Sequence, residues 1–349
     1  MIGNALAMKH VKRAFKYISL TLLSLVLVLG ALYLLFPNWV KNTAVDLLYT
    51  TVTIEEKYIG HFSIEVPQVY ELMYIACSLT ETFQNDRNLI GSRALDYRKE
   101  VTTHFGPYQN HPLVLTLQDR LQGNAYSQLQ PAMRLFSMNY ALNEANGLEK
   151  HEIFHVNPIL LRLFRSMIFD FDEHQTLIED FAAKTNFYQF YQEHQHYYDK
   201  LKANYARLCD LDRMWKWMES RSQAQYDSYR IIYSPLTGGF HNTIPGLKDP
   251  ESGLKQTWMF IAPPPRIGLD TLALKDFRIL SSKLEREVFT EISHNYVNPI
   301  SDQYINEIEQ AIPDYTQWNK QKNGYRNSVS TFNEYMTWAV FSLYAMDTY

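Results

Sequence analysis

The strongest constraint on the fold of this chain is an apolar run close to its N-terminus. Residues Ile18–Phe36 carry no charge, and their length is close to the roughly 20 residues that a helix needs to cross a bilayer. The residues before the run include four basic side chains and no acidic one, and Trp39 follows it at the expected outer interface. The basic residues are Lys9, Lys12, Arg13 and Lys16.

This pattern predicts a single-pass anchor in the inner (cytoplasmic) membrane, with the N-terminus inside by the positive-inside rule. Residues 1–45 would hold the basic flank and the transmembrane helix, and residues 46–349 an extracytoplasmic, periplasmic domain. A cleaved signal peptide is the alternative, because Gly30 and Ala31 offer small residues. The apolar run is longer than the usual hydrophobic region of a signal peptide, which favours an uncleaved anchor.

The composition excludes some classes of function. Apolar residues make up 46% of the chain and aromatic residues 14%, which is ample for a buried core. Without residues 1–16, 29 basic side chains remain against 37 acidic ones, a net charge of −8. Nucleic-acid binding needs clustered Lys and Arg, so we expect no nucleic-acid partner. Cys77 and Cys209 can pair in an oxidising compartment or remain as two buried thiols.

The predicted secondary structure is mainly helical with a small sheet. Thr51–Val66 suggests one or two strands, and Tyr229–Tyr233 and Thr257–Ala262 are predicted to pair as an antiparallel hairpin whose loop carries His241. An edge strand of this kind can hold a peptide by strand addition, or it can simply cover the core. Helices are predicted at Val69–Gln84, Pro112–Arg120, Ala132–Leu142, Pro158–Met167, Glu173–Lys184 and, in one piece, Phe187 to about Ser220.

The segment Thr290-Glu291-Ile292-Ser293-His294 differs by one residue from the His-Glu-x-x-His motif of zinc hydrolases. Ser282, with Glu285 three residues on, predicts a capping box, and apolar residues then recur at i+4, so Thr290 and His294 should share a helix face. In an intact motif both end positions bind zinc and the glutamate polarises the metal-bound water. Glu291 is therefore the candidate catalytic base and His294 a candidate metal ligand, while Thr290 replaces a ligand.

A second segment, His151-Glu152-Ile153-Phe154-His155, matches the motif fully. It follows Gly147 and no apolar periodicity, and Asn157-Pro158 comes directly after it. These neighbours favour a connection or a short turn, in which the i,i+4 geometry of two zinc ligands is not secured.

The residues Glu291, His294, Asn298 and Pro299 resemble a bacterial family of unknown function with a gluzincin-like pattern, in which a later helix supplies a glutamate. The resemblance covers most of residues 60–349 and includes the stretches Val69–Leu79, Thr103–Val114, Lys184–Tyr198 and Tyr229–Gly239. It implies an α+β, mainly α domain of the zincin-like metallopeptidase type with a small antiparallel sheet, and it makes Glu334 the candidate third metal ligand. Glu334 can instead close a capping box that begins at Thr331.

Together these observations predict a membrane-anchored extracytoplasmic protein with a degenerate zinc site, acting as a binding or scaffold protein toward a peptide or protein. The alternative is an active zinc peptidase in which His241, or a histidine of residues 151–155, substitutes for the missing ligand. In a further alternative, residues 151–155 are themselves the zinc site. With His294 and Glu334 as its ligands, zinc is expected to bind weakly or not at all.

Overall fold

The computed structural model describes residues 51–122, 126–151, 153–156, 168–265, 269–319, 325 and 327–349. The predicted membrane anchor Ile18–Phe36 and the predicted helix Pro158–Met167 lie outside these ranges. Over the part of the chain that is described, no helix combines the length and the apolarity needed to cross a membrane. The described residues of Thr51–His155 and of Arg162–Tyr349 cluster into one unit.

A mixed six-stranded sheet lies in this unit, in the order β2-β6-β8-β7-β1-β5. Strands β2, β6 and β8 run parallel, whereas β7 pairs antiparallel with β8 and β5 pairs antiparallel with β1. The remaining two strands, β3 and β4, form a separate hairpin. The strands are β1 (Thr51–Val52), β2 (Phe62–Glu65), β3 (Tyr140–Leu142), β4 (Leu148–Lys150), β5 (Phe154–His155), β6 (Ser228–Ile232), β7 (Asn242–Lys248) and β8 (Lys255–Phe260).

The predicted hairpin between Tyr229–Tyr233 and Thr257–Ala262 is wrong in its pairing. Both segments form strands, but β6 and β8 are parallel, with Ile232 opposite Phe260. Every residue of β6 is buried, which is typical of a central strand covered on both faces rather than of one arm of an exposed hairpin. The connection between β6 and β8 is long enough for a crossover, and it contains β7, which forms the antiparallel pair with β8.

The helices agree with the mainly helical prediction, although their bounds differ. They are α1 (Gln68–Ser78), α2 (Glu81–Asn85), α3 (Leu95–Phe105), α4 (Pro112–Arg120), α5 (Tyr126–Ser137), α6 (Phe171–Lys184), α7 (Phe187–Glu193), α8 (Gln195–Leu208), α9 (Leu211–Glu219), α10 (Leu274–Ser301), α11 (Ile305–Ala311) and α12 (Ser328–Thr348). The bounds predicted for α4 are confirmed. Helix α3 was not predicted.

The long helix predicted from Phe187 is wrong because the chain breaks twice. His194 ends α7 and begins α8, and Cys209 is extended between α8 and α9. Asp210 then caps α9 by accepting a hydrogen bond from the backbone N–H of Arg213 at 3.1 Å. A local capping signal inside an apolar helical pattern therefore divides it into separate helices.

Helix α10, which carries the candidate site, begins before its predicted N-cap. It starts after Ala273, so the predicted capping box at Ser282 is wrong. Glu285, its second member, is buried, and its carboxylate accepts from Arg213 at 3.2 Å and from the backbone N–H of Asp210 at 3.5 Å rather than from the N–H of Ser282. The helix continues through Pro299, whose missing N–H leaves the carbonyl of Asn295 without its helical donor. The hydroxyl of Tyr226 donates to that carbonyl at 2.8 Å, which compensates for the loss.

The two cysteines do not pair with each other. Cys77 and Cys209 are both free and buried. Their sulfur atoms contact those of Met133 at 3.7 Å and Met214 at 3.9 Å. Burial raises the pKa of both thiols, so they act as core residues.

Candidate functional site

Three residues of the predicted site lie on α10, and the buried face of this helix fixes their positions. The apolar residues at i+4 spacing are almost fully buried: Leu284, Val288, Ile292 and Tyr296. Thr290, Glu291 and His294 lie beside this buried stripe and are each partly exposed. The expected helical register of these three residues is thus present, although the helix is longer than predicted.

His294 meets Glu334, which lies on α12. The Nε2 atom of His294 is 3.6 Å from Oε2 of Glu334, and both side chains are largely buried. On the other side of the imidazole, Nδ1 is 3.2 Å from Oδ1 of Asn298, one helical turn further along α10. The indole N–H of Trp338 donates to Oε1 of Glu334 at 3.2 Å. The imidazole and the carboxylate are therefore each fixed from two sides.

Each member of this pair favours the charged form of the other. Burial alone lowers the pKa of His294, but the Glu334 carboxylate and the Asn298 side chain oppose burial, and the net effect raises this pKa above its usual range. Burial alone raises the pKa of Glu334, while His294 and the Tyr325 hydroxyl outweigh it and lower this pKa below its usual range. Glu291 contributes to the raised pKa of His294 as well. An acidic environment thus surrounds His294.

The capping alternative for Glu334 is wrong. Helix α12 begins at Ser328, and its N-cap is Asn327, whose side chain accepts from the backbone N–H of Ser330 at 2.7 Å. Glu334 therefore lies beyond the first helical turn, and Thr331 is not the cap. The carboxylate faces His294 instead of a free backbone N–H.

Glu291, the predicted catalytic base, faces strand β7. The Thr243 hydroxyl donates to Oε2 of Glu291 at 2.8 Å, and Nδ1 of His241 lies 3.8 Å from Oε1. Both side chains of the His241–Glu291 pair are 14% exposed. The structure thus brings His241, Glu291, His294 and Glu334 into one continuous cluster, formed by two histidine–glutamate pairs.

His241 differs from His294 in its electrostatics. Burial lowers the pKa of His241 below its usual range, and the nearby carboxylates of Glu291 and Glu287 oppose this effect without cancelling it. Its Nε2 atom is buried and has no hydrogen-bond partner among the described residues. At neutral pH, His241 is therefore a neutral imidazole, the form in which histidine binds metals.

Thr290 does not present its hydroxyl to the cluster. The Thr290 hydroxyl donates to the backbone carbonyl of Glu287 at 3.0 Å, within its own helix. The Glu287 carboxylate is also engaged, because Arg93 binds it through two hydrogen bonds of 2.6 and 2.8 Å. Arg93 donates in addition to the carbonyl of Pro263 at 2.9 Å. This network ties α10 to the chain that follows β8, and it supplies no free ligand.

The segment with the full motif, residues 151–155, is not helical where it is described. His151 is exposed and outside any helix or strand, and His155 belongs to β5. The ring Nε2 of His155 lies 2.9 Å from the hydroxyl of Thr53. Glu152 lies outside the described residues. The two histidines thus do not stack on one helix face, as expected from their sequence neighbours.

The cluster fits part of a zinc site. Two ligand atoms 3.6 Å apart can both lie at about 2.1 Å from one ion, with an angle of roughly 120° at the metal. His294 and Glu334 meet this condition, but Thr290 does not supply the third protein ligand that a catalytic zinc site needs. Among the described residues, no group of three or more His, Cys, Asp or Glu side chains is arranged to hold a metal ion. The residues present thus fit two of three ligand positions.

Several residues of the site were not found by sequence reasoning. Thr243, Trp338 and Tyr325 have no motif, and they reach the cluster because β7 and α12 pack against α10. Arg134 is a further example: its guanidinium donates to the carbonyl of Phe240 and to the side chain of Asn242, on both sides of His241. A buried arginine on an amphipathic helix gives no local sequence signal of such a role.

Comparison with known proteins gives a family and no function. No curated protein and no solved structure matches the chain. The family model described as a domain of unknown function (DUF4932) matches residues 62–341, which is most of the chain and includes α10, β7 and most of α12. The chain therefore belongs to the DUF4932 family.

Proposed function

We propose that this protein is a membrane-anchored, extracytoplasmic peptide-binding protein whose site resembles that of a zinc peptidase and lacks catalytic activity. The proposal rests on the position and the contacts of Thr290. This residue stands where the first zinc ligand of the motif would stand, and its hydroxyl is held by its own helix. With two ligands instead of three, zinc affinity is expected to fall steeply.

The contacts of Glu291 support the loss of catalysis. A catalytic base must reach a metal-bound water and accept its proton. Here the Thr243 hydroxyl donates to one carboxylate oxygen, and the other faces His241. Glu291 thus links α10 to β7 and holds the beginning of that strand in place.

The start of β7 supports a role in peptide binding. Residues Asn242–Ile244 pair with β8 on one side, while β1 bridges β7 only at Lys248, at the far end of the strand. A register shift between Ile244 and Leu247 separates the two halves, and Gly246 at φ 62 provides the bulge. Among the described residues, no strand occupies the second edge at Asn242–Ile244. A peptide in extended conformation can add to such an edge by main-chain hydrogen bonds.

The location of the protein is inferred from the sequence. The uncharged Ile18–Phe36 run behind four basic residues supports an anchor with the DUF4932 domain outside the cytoplasm.

The test uses the full-length chain in detergent and a pool of N-acetylated hexapeptides with varied side chains. We expect the protein to retain peptides from this pool and to lose this retention when the same pool is N-methylated along its backbone. The peptide masses should stay unchanged after incubation with added zinc. N-methylation is the control because it removes the N–H groups of strand addition and keeps the side chains. Cleavage that stops on chelation and in Glu291→Gln would overturn the proposal.

A second candidate is an active zinc peptidase with His241 as the substitute ligand. One observation favours it: Nδ1 of His241 faces Glu291, while its buried Nε2 has no hydrogen-bond partner among the described residues. In that case the peptides would be cleaved in the presence of zinc, and His241→Ala would abolish cleavage. His104→Ala is the control, because His104 is an exposed histidine whose ring contacts the carbonyl of Thr185 on another part of the molecule.

A further inference from the structure

The outermost strand of the sheet carries main-chain groups that its neighbour does not use. Strand β2 stands first in the strand order, so among the described residues it pairs only with β6. The carbonyls of His61 and Glu65 accept from main-chain N–H groups on the β6 side at 3.3 and 3.1 Å. Because main-chain groups alternate in direction along a strand, Phe62 and Ile64 point their N–H and C=O groups away from β6.

A groove beside β2 gives a ligand access to this free edge. Its volume is about 640 Å³, and its lining includes Phe62 and Ile64 together with residues from the end of α8, the start of α9 and α10. This volume lies within the range of about 300–1,000 Å³ that is usual for ligand-binding clefts. The ring of Phe62 is stacked on that of Tyr229 with their centroids 4.9 Å apart, which holds the edge strand against the core.

The groove carries more carboxylates than cationic groups. Its lining contains two arginines and three carboxylates, which are Arg207, Arg213, Asp210, Asp212 and Glu285. Both arginines already have partners, since Arg213 contacts the buried Glu285 at 3.2 Å and Arg207 contacts Asp270 at 2.7 Å. Asp212 is exposed, and no cation of the described residues forms an ion pair with it. A basic side chain of a ligand would therefore complement the charge of the groove.

The edge and the charge together define the chemistry of the ligand. A free strand edge presents main-chain donors and acceptors at every second residue, a spacing that another extended polypeptide matches. Strand β2 is four residues long, so a short extended segment is sufficient to pair with it. The free carboxylate of Asp212 adds a preference for Lys or Arg in that segment.

We propose that the free edge of β2 and the groove beside it form a second peptide-binding surface, which takes an extended segment of a partner protein with a Lys or Arg side chain placed at Asp212. Strands β6 and β8 lie between β2 and β7, so this surface is separate from the edge at Asn242–Ile244. It goes beyond the proposed function and does not depend on it.

Photo-crosslinking to the full-length wild-type chain locates the ligand without any substitution. The two probes are N-acetylated, C-amidated hexapeptides with a central benzophenone side chain, identical except that one carries two Lys residues and the other two Glu residues. The Lys probe should label residues 61–64 or 206–213, identified by mass spectrometry of the digested protein. The Glu probe should label them at least about threefold less, as expected for one ion pair in contact with solvent.

A substitution in the groove tests the charge preference. Asp212→Asn should reduce labelling of residues 61–64 and 206–213 by the Lys probe about threefold, and it should leave labelling by the Glu probe no weaker than in the wild type. Asp119→Asn is the matched control, because it removes an exposed acid on α4 and should change neither value.

The outcomes separate this surface from the one at β7. Labelling of residues 242–244 alone would overturn the β2 surface and leave peptide binding at β7 intact. Labelling of residues 61–64 or 206–213 alone would support the β2 surface and count against the peptide site at β7. Equal labelling of the β2 groove by both probes would show that the proposed preference for basic side chains is wrong, and labelling of neither edge would overturn both surfaces.

Discussion

Glu71 is a buried acid whose ionisation should make the stability of the fold depend on pH. It lies on α1 and is 0% exposed. The Tyr97 hydroxyl donates to its carboxylate at 2.6 Å, and the same hydroxyl is 2.9 Å from that of Tyr198. Burial raises the pKa of Glu71 from its usual 4.5 to about 7, although the hydrogen bond from Tyr97 and the nearby Ser234 side chain oppose the rise.

The size and the sign of the effect follow from linkage. Between pH 4.5 and about 7 the unfolded chain ionises at Glu71 while the folded protein keeps the proton. The contribution of protonated Glu71 to the free energy of unfolding is therefore fully present below about pH 4.5. It is lost as the pH rises, and above about pH 7 no further loss occurs. At about 1.4 kcal/mol per pH unit, the loss is about 3 kcal/mol.

Replacement of Glu71 by glutamine removes this loss and keeps an oxygen that accepts from Tyr97. In urea unfolding of residues 46–349, Glu71→Gln should exceed the wild type by about 3 kcal/mol at pH 8 and lie within about 1 kcal/mol of it at pH 5. The difference between the two proteins isolates Glu71, because all other titrating groups are shared. Glu144→Gln, at an exposed position, is the control and should change neither value. A variant that is equally destabilised at both pH values would refute the reasoning.

Other predictions concern topology, an ion pair and a glycine. A reporter fused after Tyr349 should be active only outside the cytoplasm, and cytoplasmic activity would disprove the orientation. Arg93→Ala should destabilise the fold by about 1–2 kcal/mol, because its Nη2 contacts both oxygens of the largely buried Glu287 carboxylate, and a double-mutant cycle that gives no coupling would contradict this. Gly238→Ala should cost about 1–3 kcal/mol, because its Cβ would lie 2.5 Å from each of two backbone carbonyl oxygens, whereas Gly106→Ala meets nothing within 4 Å and should be neutral in thermal unfolding.

Local patterns in the sequence predicted the elements better than their arrangement. The segment Pro112–Arg120 is a helix with the predicted bounds, since a proline at the first position and a regular apolar pattern both act within a few residues. The parallel pairing of β6 with β8 depends instead on β7, which follows β6 in the chain and lies on the other side of β8. β7 contains Pro245 and Gly246, which weaken a local strand signal, so the crossover was not predicted.

For the site, the family resemblance implied that His294 and Glu334 lie close together, but the sequence did not predict the residues around them. The i+4 periodicity of α10 fixes the side on which His294 lies, and the family resemblance supplied the later glutamate. Ser282 and Thr331 gave capping signals that the longer helices override, because Ala273 and Asn327 are the actual N-caps. Contacts such as Thr243 with Glu291 depend on tertiary packing, which leaves no periodic trace in the sequence.

Zinc titration of the wild-type protein and of Thr290→His tests the central claim most directly, with bound metal measured after dialysis. The site supplies His294 and Glu334, so the wild type should retain far less than one equivalent of zinc. Thr290→His adds a ligand one helical turn from His294 and should bring retention close to one equivalent, which Glu334→Gln should reverse. Equimolar zinc in the wild type would contradict the account. Its loss in His241→Ala would favour the peptidase alternative, and its loss in His151→Ala would assign the metal to residues 151–155.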